Sequence, residues 1–451
     1  MTDFLERYAS KTRGSYALFE RAQKTFAGGN TRHTYIYEPY PIYIKQGVGC
    51  RIIDVDRNQY YDFTNNMGPL ILGHNDPRVV QAVKSAVAMG DSYAAPTALE
   101  IELGEMLCDA IPCAERVRFT VTGTEATMTV LRATRAFTGK SKIAKFEGHY
   151  HGTHDYAQIS THPTEDQAGS SAAPRSLPDS MGLPPGIVES VVVLPWNDFP
   201  ACEALIKANS KDLASIILDP IANGSGIIPP EDGFLKSLKD CAEQYDVLLV
   251  FDEIISGFRL AYGGAQEAYK VVPDLATYGK IIGGGYPAGA VAGRADVMDV
   301  FNSKTGPPKV KHYGTYNGQP VSMAAGIATL SQLKPQIYEK IGSEAQLIKR
   351  EIESTLEDLH IEGHVSVAGS MLYLIHFGIE QMRNPRDVFR EDRESTWKFA
   401  LGSICSGVYF VPGRSGNVSA AFGSEDINSS TDSMKQVLRE LAPEIRRKQN
   451  A

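Results

Sequence analysis

From about residue 98 the chain settles into one rhythm, in which helical segments alternate with short, mainly apolar runs. The runs are Val117–Val121, Ile143–Phe146, Val191–Leu194, Ser215–Leu218, Val247–Phe251 and Ala288–Ala292. Runs without an in-and-out alternation suit strands covered on both faces. Strands alternating with helices predict an α/β domain with a mainly parallel central sheet. Ligands of such sheets bind beyond the carboxyl ends of the strands. The residues just after each run are therefore the first candidates for function.

The flanks read differently. Residues 3–26 are rich in helix formers and stop at Ala27-Gly28-Gly29-Asn30. Residues 35–63 suggest short strands, with turn signals at Gln46-Gly47 and Asp56-Arg57-Asn58. Asp76 to Met89 suggests a helix with Pro77 near its start. Later come a helical stretch over 320–360, a strand at Met371–Phe377 and a helix over 431–447. The expected division is 1–64 as part of a small domain, 65–320 as a large domain and 321–451 as the rest of a smaller α+β domain. Residues 160–187 are rich in Ser, Pro, Gly and Ala without a period, which suits a lid or a poorly ordered loop.

Composition narrows the function. The 451 residues are 43% hydrophobic and 22% charged, a soluble globular mix. A net charge of -8 argues against a dedicated nucleic-acid binder. No apolar run approaches the ~18 residues of a membrane span. Met1 to Ser15 is polar and does not read as a signal peptide. Six scattered cysteines without a CxxC pair predict a reducing, cytoplasmic setting.

Four constellations could carry chemistry. Gly123 and Thr124 open a helix after the first strand, where amides and the helix's positive end can meet a phosphate. A plain turn with a threonine cap reads equally well. Asp252 ends a buried strand, where it can pair with a cationic ring nitrogen, cap the next helix or pair with Arg259. Lys280 stands beside a glycine run. In a confined apolar setting its amine would be neutral enough to form a Schiff base; as a loop lysine it would simply be solvated. His149-Tyr-His151-Gly-Thr-His154 suggests zinc, but no second ligand cluster accompanies it, so no metal is expected. Tyr150 better suits stacking on a flat ligand.

Taken in order, Gly-Thr-Glu-Ala (123–126), Tyr-His-Gly (150–152), Asp-Glu-Ile-Ile-Ser-Gly-Phe-Arg (252–259), Gly-Lys-Ile-Ile-Gly-Gly-Gly (279–285) and Gly-Thr-Tyr-Asn-Gly (314–318) form one pattern. It resembles the class III aminotransferases, pyridoxal-phosphate enzymes of fold type I, over roughly residues 20–440. Phe63–Pro77, Asp91–Thr97 and Pro195–Asp198 look like glutamate-1-semialdehyde aminomutase. Gly28–Arg32 and the following Tyr-Glu-Pro-Tyr-Pro look like β-phenylalanine aminotransferases, and Glu147–Asp155 is similar to D-phenylglycine aminotransferase.

The resemblance implies roles. Lys280 would form the Schiff base and move the proton. Asp252 would partner the pyridine nitrogen, with Tyr150 and Ile254 on opposite ring faces. Gly123 and Thr124 would hold the phosphate, and Thr315 would reach the phosphate in a neighbouring subunit of a homodimer. Arg32 would grip the substrate carboxylate with two parallel hydrogen bonds. Four positions depart from the pattern. Met67 stands where the aminomutase has tryptophan, Ile254 replaces valine, Asp219-Pro220 replaces Glu-Pro, and Gln319 replaces asparagine. Residues 153–187 also lack the aminomutase's full glycine pattern. The preferred expectation is an aminotransferase passing the amino group of a β-amino or aromatic amino acid to an oxo acid. The alternatives are an intramolecular aminomutase, then a racemase or epimerase. A non-catalytic cofactor-binding sensor fits poorly, since Lys280 and Asp252 are both retained.

Overall fold

The apolar runs assemble into a single seven-stranded sheet in the order 116–120, 289–293, 275–279, 248–252, 213–218, 142–146 and 191–194. The structure is a computed structural model that describes residues 4–304 and 306–449. Six strands are parallel, and Gly289–Gly293 runs against both neighbours. The expected fold class, α/β with a mainly parallel sheet, is the one observed. The sequence reading missed Leu275–Gly279, a central strand. Its Ala, Thr and terminal Gly give a weak strand signal, yet every residue in it is buried.

Helix Gly123–Thr138 lays Ala126, Val130 and Leu131 into a core shared with Ile143, Ile217, Val250 and Val291. Each fully buried branched side chain contributes about 1.5–3 kcal/mol. Register then aligns the strand ends. Phe251 lies opposite Leu218, and Asp252 lies opposite Thr277. Asp219, Asp252 and Thr277 thus emerge side by side at the carboxyl edge.

The chain divides into two compact units, Met1–Asp76 with Glu339–Met382 and Arg390–Ala451, and Pro77–Tyr338 with Arg383–Phe389. The sequence reading puts these divisions at 64/65 and 320/321. Two close approaches account for the shift. Residues 63–76 stay with the first unit because His74 bonds Asp62 at 2.7 Å and exchanges backbone hydrogen bonds with Gly49. A Cβ on Gly73 (φ 87°) would lie 2.7 Å from the Gly49 carbonyl oxygen. Helix Pro320–Leu330 stays with the second because Gly326 sits against the Ile282 carbonyl, where a Cβ would come within 2.1 Å. The first unit holds a four-stranded and a three-stranded sheet with helices, the α+β character expected. Its helix Arg393–Cys405 was not read from the sequence.

The segment 160–187 is neither structureless nor featureless. It contains a small hairpin, Gly169–Ser170 with Ala173–Pro174. Lys145, fully buried, donates to the Ile159 carbonyl and, at 3.2 Å, to the Thr161 hydroxyl. Asp179 accepts the Thr161 and His162 amides. Arg386 grips Glu147 with two nitrogens, at 2.6 and 3.0 Å, and donates to the carbonyls of Ala168, Gly169 and Ser170. Among the described residues no helix is long and apolar enough to cross a membrane.

Candidate active site

At the carboxyl edge of the sheet lies a cavity of ≈ 200 Å³. Drug-sized ligands usually occupy about 300–1,000 Å³, so this space suits one compact, flat molecule. It is lined by Thr122, Gly123, Thr124, Tyr150, His151, Gly152, Asp219, Asp252, Ile254, Ile255 and Lys280.

The first wall is the start of helix Gly123–Thr138. Thr122 caps it and forms a reciprocal capping box with Glu125. That box satisfies the amides of Val121, Thr122 and Glu125. Among the described residues it leaves the Gly123 and Thr124 amides, at the positive helix end, without a partner. A Cβ on Gly123 would fall 2.5 Å from Ile254 Cδ1. Only glycine lets backbone and Ile254 meet here. The threonine cap is thus formed by Thr122, and it leaves two adjacent amides of a kind that suits an anion.

The second wall is the histidine segment. His149 and His151 are buried, and Tyr150 between them is half exposed at the cavity. His149 Nδ1 accepts the Asp219 amide at 3.1 Å, and its ring packs against Trp196. His151 Nδ1 lies 2.7 Å from Asp252 Oδ2. The two imidazoles therefore fasten the ends of two strands. Among the described residues no group of three or more His, Cys, Asp or Glu is placed to hold a metal ion.

The acids form the floor. Asp252 Oδ1 accepts the Thr277 hydroxyl at 2.9 Å and the Ile254 amide at 3.2 Å. Burial pushes its carboxyl up to about 7. Burial pushes Asp219 up to about 7 as well, with repulsion from Asp252 adding to it. Burial also holds His151 well below the usual imidazole range. One proton therefore shared along the His151–Asp252 contact leaves the least buried charge. A cation brought beside Asp252 would leave the carboxylate ionised and the proton on Nδ1. The neighbouring Glu253 has another task. It accepts the Ala265 amide and the Gln266 and Tyr278 side chains, which closes the following loop.

Lys280 follows strand Leu275–Gly279 with a left-handed backbone, φ 50°. Burial pulls its amine down to about 8. Arg259 adds to this, and Asp219 and Asp252 oppose it. Asp252 does not pair with Arg259, which instead acts on Lys280 through space.

Six residues singled out from the sequence line this one cavity: Gly123, Thr124, Tyr150, Asp252, Ile254 and Lys280. Two do not. Arg32 belongs to the other compact unit, and Thr315 sits exposed in the turn that follows Gly314. Sequence reasoning missed His151 and Asp219 as lining residues, and Thr277 as the donor that holds Asp252 from behind. His151 had a signal, since two histidines flank the ring residue. Asp219 was noticed only as a departure from a pattern.

The donor set fits pyridoxal phosphate. Two unpartnered amides at a helix start suit a phosphate, a buried carboxylate suits a ring nitrogen, and a lysine of lowered basicity suits an aldehyde. Residues 35–394 match the family described as Aminotransferase class-III. The chain is 41% identical to a glutamate-1-semialdehyde 2,1-aminomutase of Methanothermobacter thermautotrophicus, over 95% of this chain and 99% of that protein. An omega-transaminase from Sphaerobacter thermophilus superposes with a TM-score of 0.91 at 37% identity, covering 94% and 97% of the two chains. A β-phenylalanine aminotransferase from Variovorax paradoxus gives 0.88 at 28% identity, covering 98% and 97%.

Proposed function

The chain belongs to the class-III aminotransferases, enzymes that use pyridoxal 5′-phosphate, and on that premise we propose that it moves an amino group between neighbouring carbons of one carboxylate-bearing molecule, as a glutamate-1-semialdehyde 2,1-aminomutase does. The observation that carries this reading is the 41% identity to such an enzyme along nearly the full length of both chains. It outweighs the preference for β-amino or aromatic donors, which rested mainly on residues 28–41. A second reading, transfer from a separate amine to an oxo acid, draws support from the Sphaerobacter transaminase and from Met67 in place of tryptophan.

The roles follow from the chain's own groups. Pyridoxal phosphate supplies an electron-poor ring that takes up the electron pair left when a proton departs from a carbon beside a linked nitrogen. Gly123 and Thr124 hold the phosphate through their amides. Asp252, backed by His151 and Thr277, keeps the ring nitrogen protonated. Tyr150 and Ile254 confine the ring. Lys280, partly neutral near pH 8, would hold the cofactor's aldehyde carbon and is the group placed to carry a proton from one carbon to the next. Arg32 binds the substrate carboxylate.

We also infer a homodimer in which Thr315 serves the neighbour's phosphate. Support comes from Tyr313, 84% exposed, which lines a groove of ≈ 1020 Å³ with Ile101, Phe119 and His312, and from Tyr316, 59% exposed in the same segment. Exposed aromatic groups at a groove suit a covering partner. A fully active monomer in solution would refute the dimer. The six cysteines form no disulfide, which supports the cytoplasm as its location.

The test is to give the amine form of the enzyme glutamate 1-semialdehyde with no oxo acid. The proposal predicts many turnovers to the isomeric amino oxo acid. Turnover only when a separate amine and an oxo acid are both supplied would establish the second reading instead.

A further inference from the structure

Residues 65–68 are left-handed four times in succession: Asn65 (φ 46°), Asn66 (φ 54°), Met67 (φ 63°) and Gly68 (φ 106°). Non-glycine residues rarely adopt this conformation, and three in a row need external restraint. The restraint is visible. Asp62 Oδ1 accepts the amides of Thr64 and Asn65 at 2.8 and 3.0 Å. The Asn65 side chain donates to the Asn417 carbonyl at 2.8 Å, and the Asn417 amide returns to Phe63. Asn65 is thereby buried, and Asn66 is turned outward.

Asn66 Oδ1 accepts two hydrogen bonds, from Tyr35 Oη at 2.9 Å and from Arg32 Nη1 at 3.5 Å, the outer limit of such a bond. The Arg32 guanidinium also lies over the Tyr35 ring, 4.0 Å from its centroid. One face and one edge of the fork are thus held, by residues some 30 positions apart in sequence. No carboxylate pairs with Arg32 among the described residues.

We propose that Asn66 and Tyr35 are positioning residues for Arg32, stacking its guanidinium and fixing one edge so that the remaining donors are presented as a ready fork for a substrate carboxylate. This rests on the reading that Arg32 binds that carboxylate. A long arginine otherwise loses much rotamer freedom on binding, and pre-orientation removes part of that loss. The strained turn is what delivers Asn66 to the bracket. A neutral amide there orients the cation without competing for it, as an aspartate would.

The test uses the cofactor-loaded enzyme and four variants: Arg32→Ala, Asn66→Gly, Asn66→Asp and Tyr35→Phe. Glycine accepts φ 54° freely, so Asn66→Gly removes the amide without adding strain. Two quantities are read: KM against kcat for glutamate 1-semialdehyde, and the dissociation constant of glutarate, a dead-end carboxylate, by calorimetry. Arg32→Ala should weaken glutarate by roughly thirtyfold or more. Asn66→Gly and Tyr35→Phe should each weaken it roughly three- to tenfold, and raise KM equally, with kcat within about twofold. Asn66→Asp should be worse than Asn66→Gly. Loss of glutarate binding in Arg32→Ala, with Asn66→Gly and Tyr35→Phe unchanged, overturns the bracket. Unchanged binding in Arg32→Ala overturns the assignment of Arg32 itself, and the bracket with it. The glutarate arm decides both even where glutamate 1-semialdehyde is not turned over.

Discussion

Two buried regions of the large unit each centre on a lysine, and only one of them is built for chemistry. Around Lys145, burial pulls the amine down to about 7 against the opposing charges of Asp179 and Glu147. Around Lys280, burial and Arg259 pull it down to about 8, against Asp219 and Asp252. By basicity alone Lys145 would be the better nucleophile. Its amine, however, is spent on the Ile159 carbonyl and the Thr161 hydroxyl, and it lines no part of the cavity. Lys280 faces open space with Asp219 and Asp252 across it. Lowered basicity marks burial; a cavity with complementary groups marks reactivity.

Substitutions can break this contrast. The largest effect should come from Lys280→Ala, which on the proposed roles removes both cofactor linkage and proton transfer. Turnover should fall by about 10⁴-fold or more, beyond the usual share of one general base, while the thermal midpoint changes little. Next is Asp252→Asn. An amide cannot hold the ring-nitrogen proton, so single-turnover rates should fall by roughly 10²–10³-fold, the scale of one lost electrostatic group. Cofactor should also dissociate more readily on dialysis. Lys145→Met should do the reverse. It strands two buried acceptors and should cost about 2–4 kcal/mol in denaturant unfolding, with kcat nearly intact in the folded fraction.

Smaller effects sharpen the picture. Gly123→Ala brings a Cβ to 2.5 Å from Ile254 Cδ1 and should weaken cofactor binding by about 1–2 kcal/mol. Adding Ile254→Val should recover part of it, since that methyl is the one struck. Finally, capture of pyridoxal phosphate by the apo-protein needs the neutral Lys280 amine. Its rate should climb as pH rises toward 8 and level off above, because deprotonation is then complete. Stopped-flow absorbance from pH 6 to 10 would read this. The same profile surviving in Lys280→Ala would reverse the assignment.

The large unit was legible because its chemistry sits where strands end. Apolar runs announce strands, and the residue after each run is then named by position; Asp252 and Gly123 were found that way. Lys280 was found beside its glycines, although the strand before it was not seen. Asp219 and Thr277 gained meaning only from register, which pairs Phe251 with Leu218 and Asp252 with Thr277 across strands far apart in sequence. The histidine cluster invited a metal. Its actual work is to fasten two strand ends, and that is a matter of contacts no spacing reveals. Arg32 was implied by a resemblance, whereas its neighbours Tyr35 and Asn66 meet it through a left-handed turn that no local propensity predicts.

The most direct test of the account is to reduce the cofactor-loaded enzyme with borohydride and map the lysine that carries the label. The account predicts a single modified peptide containing Lys280, absent in Lys280→Ala. Label on Lys145, or label spread over surface lysines with none on Lys280, would contradict it.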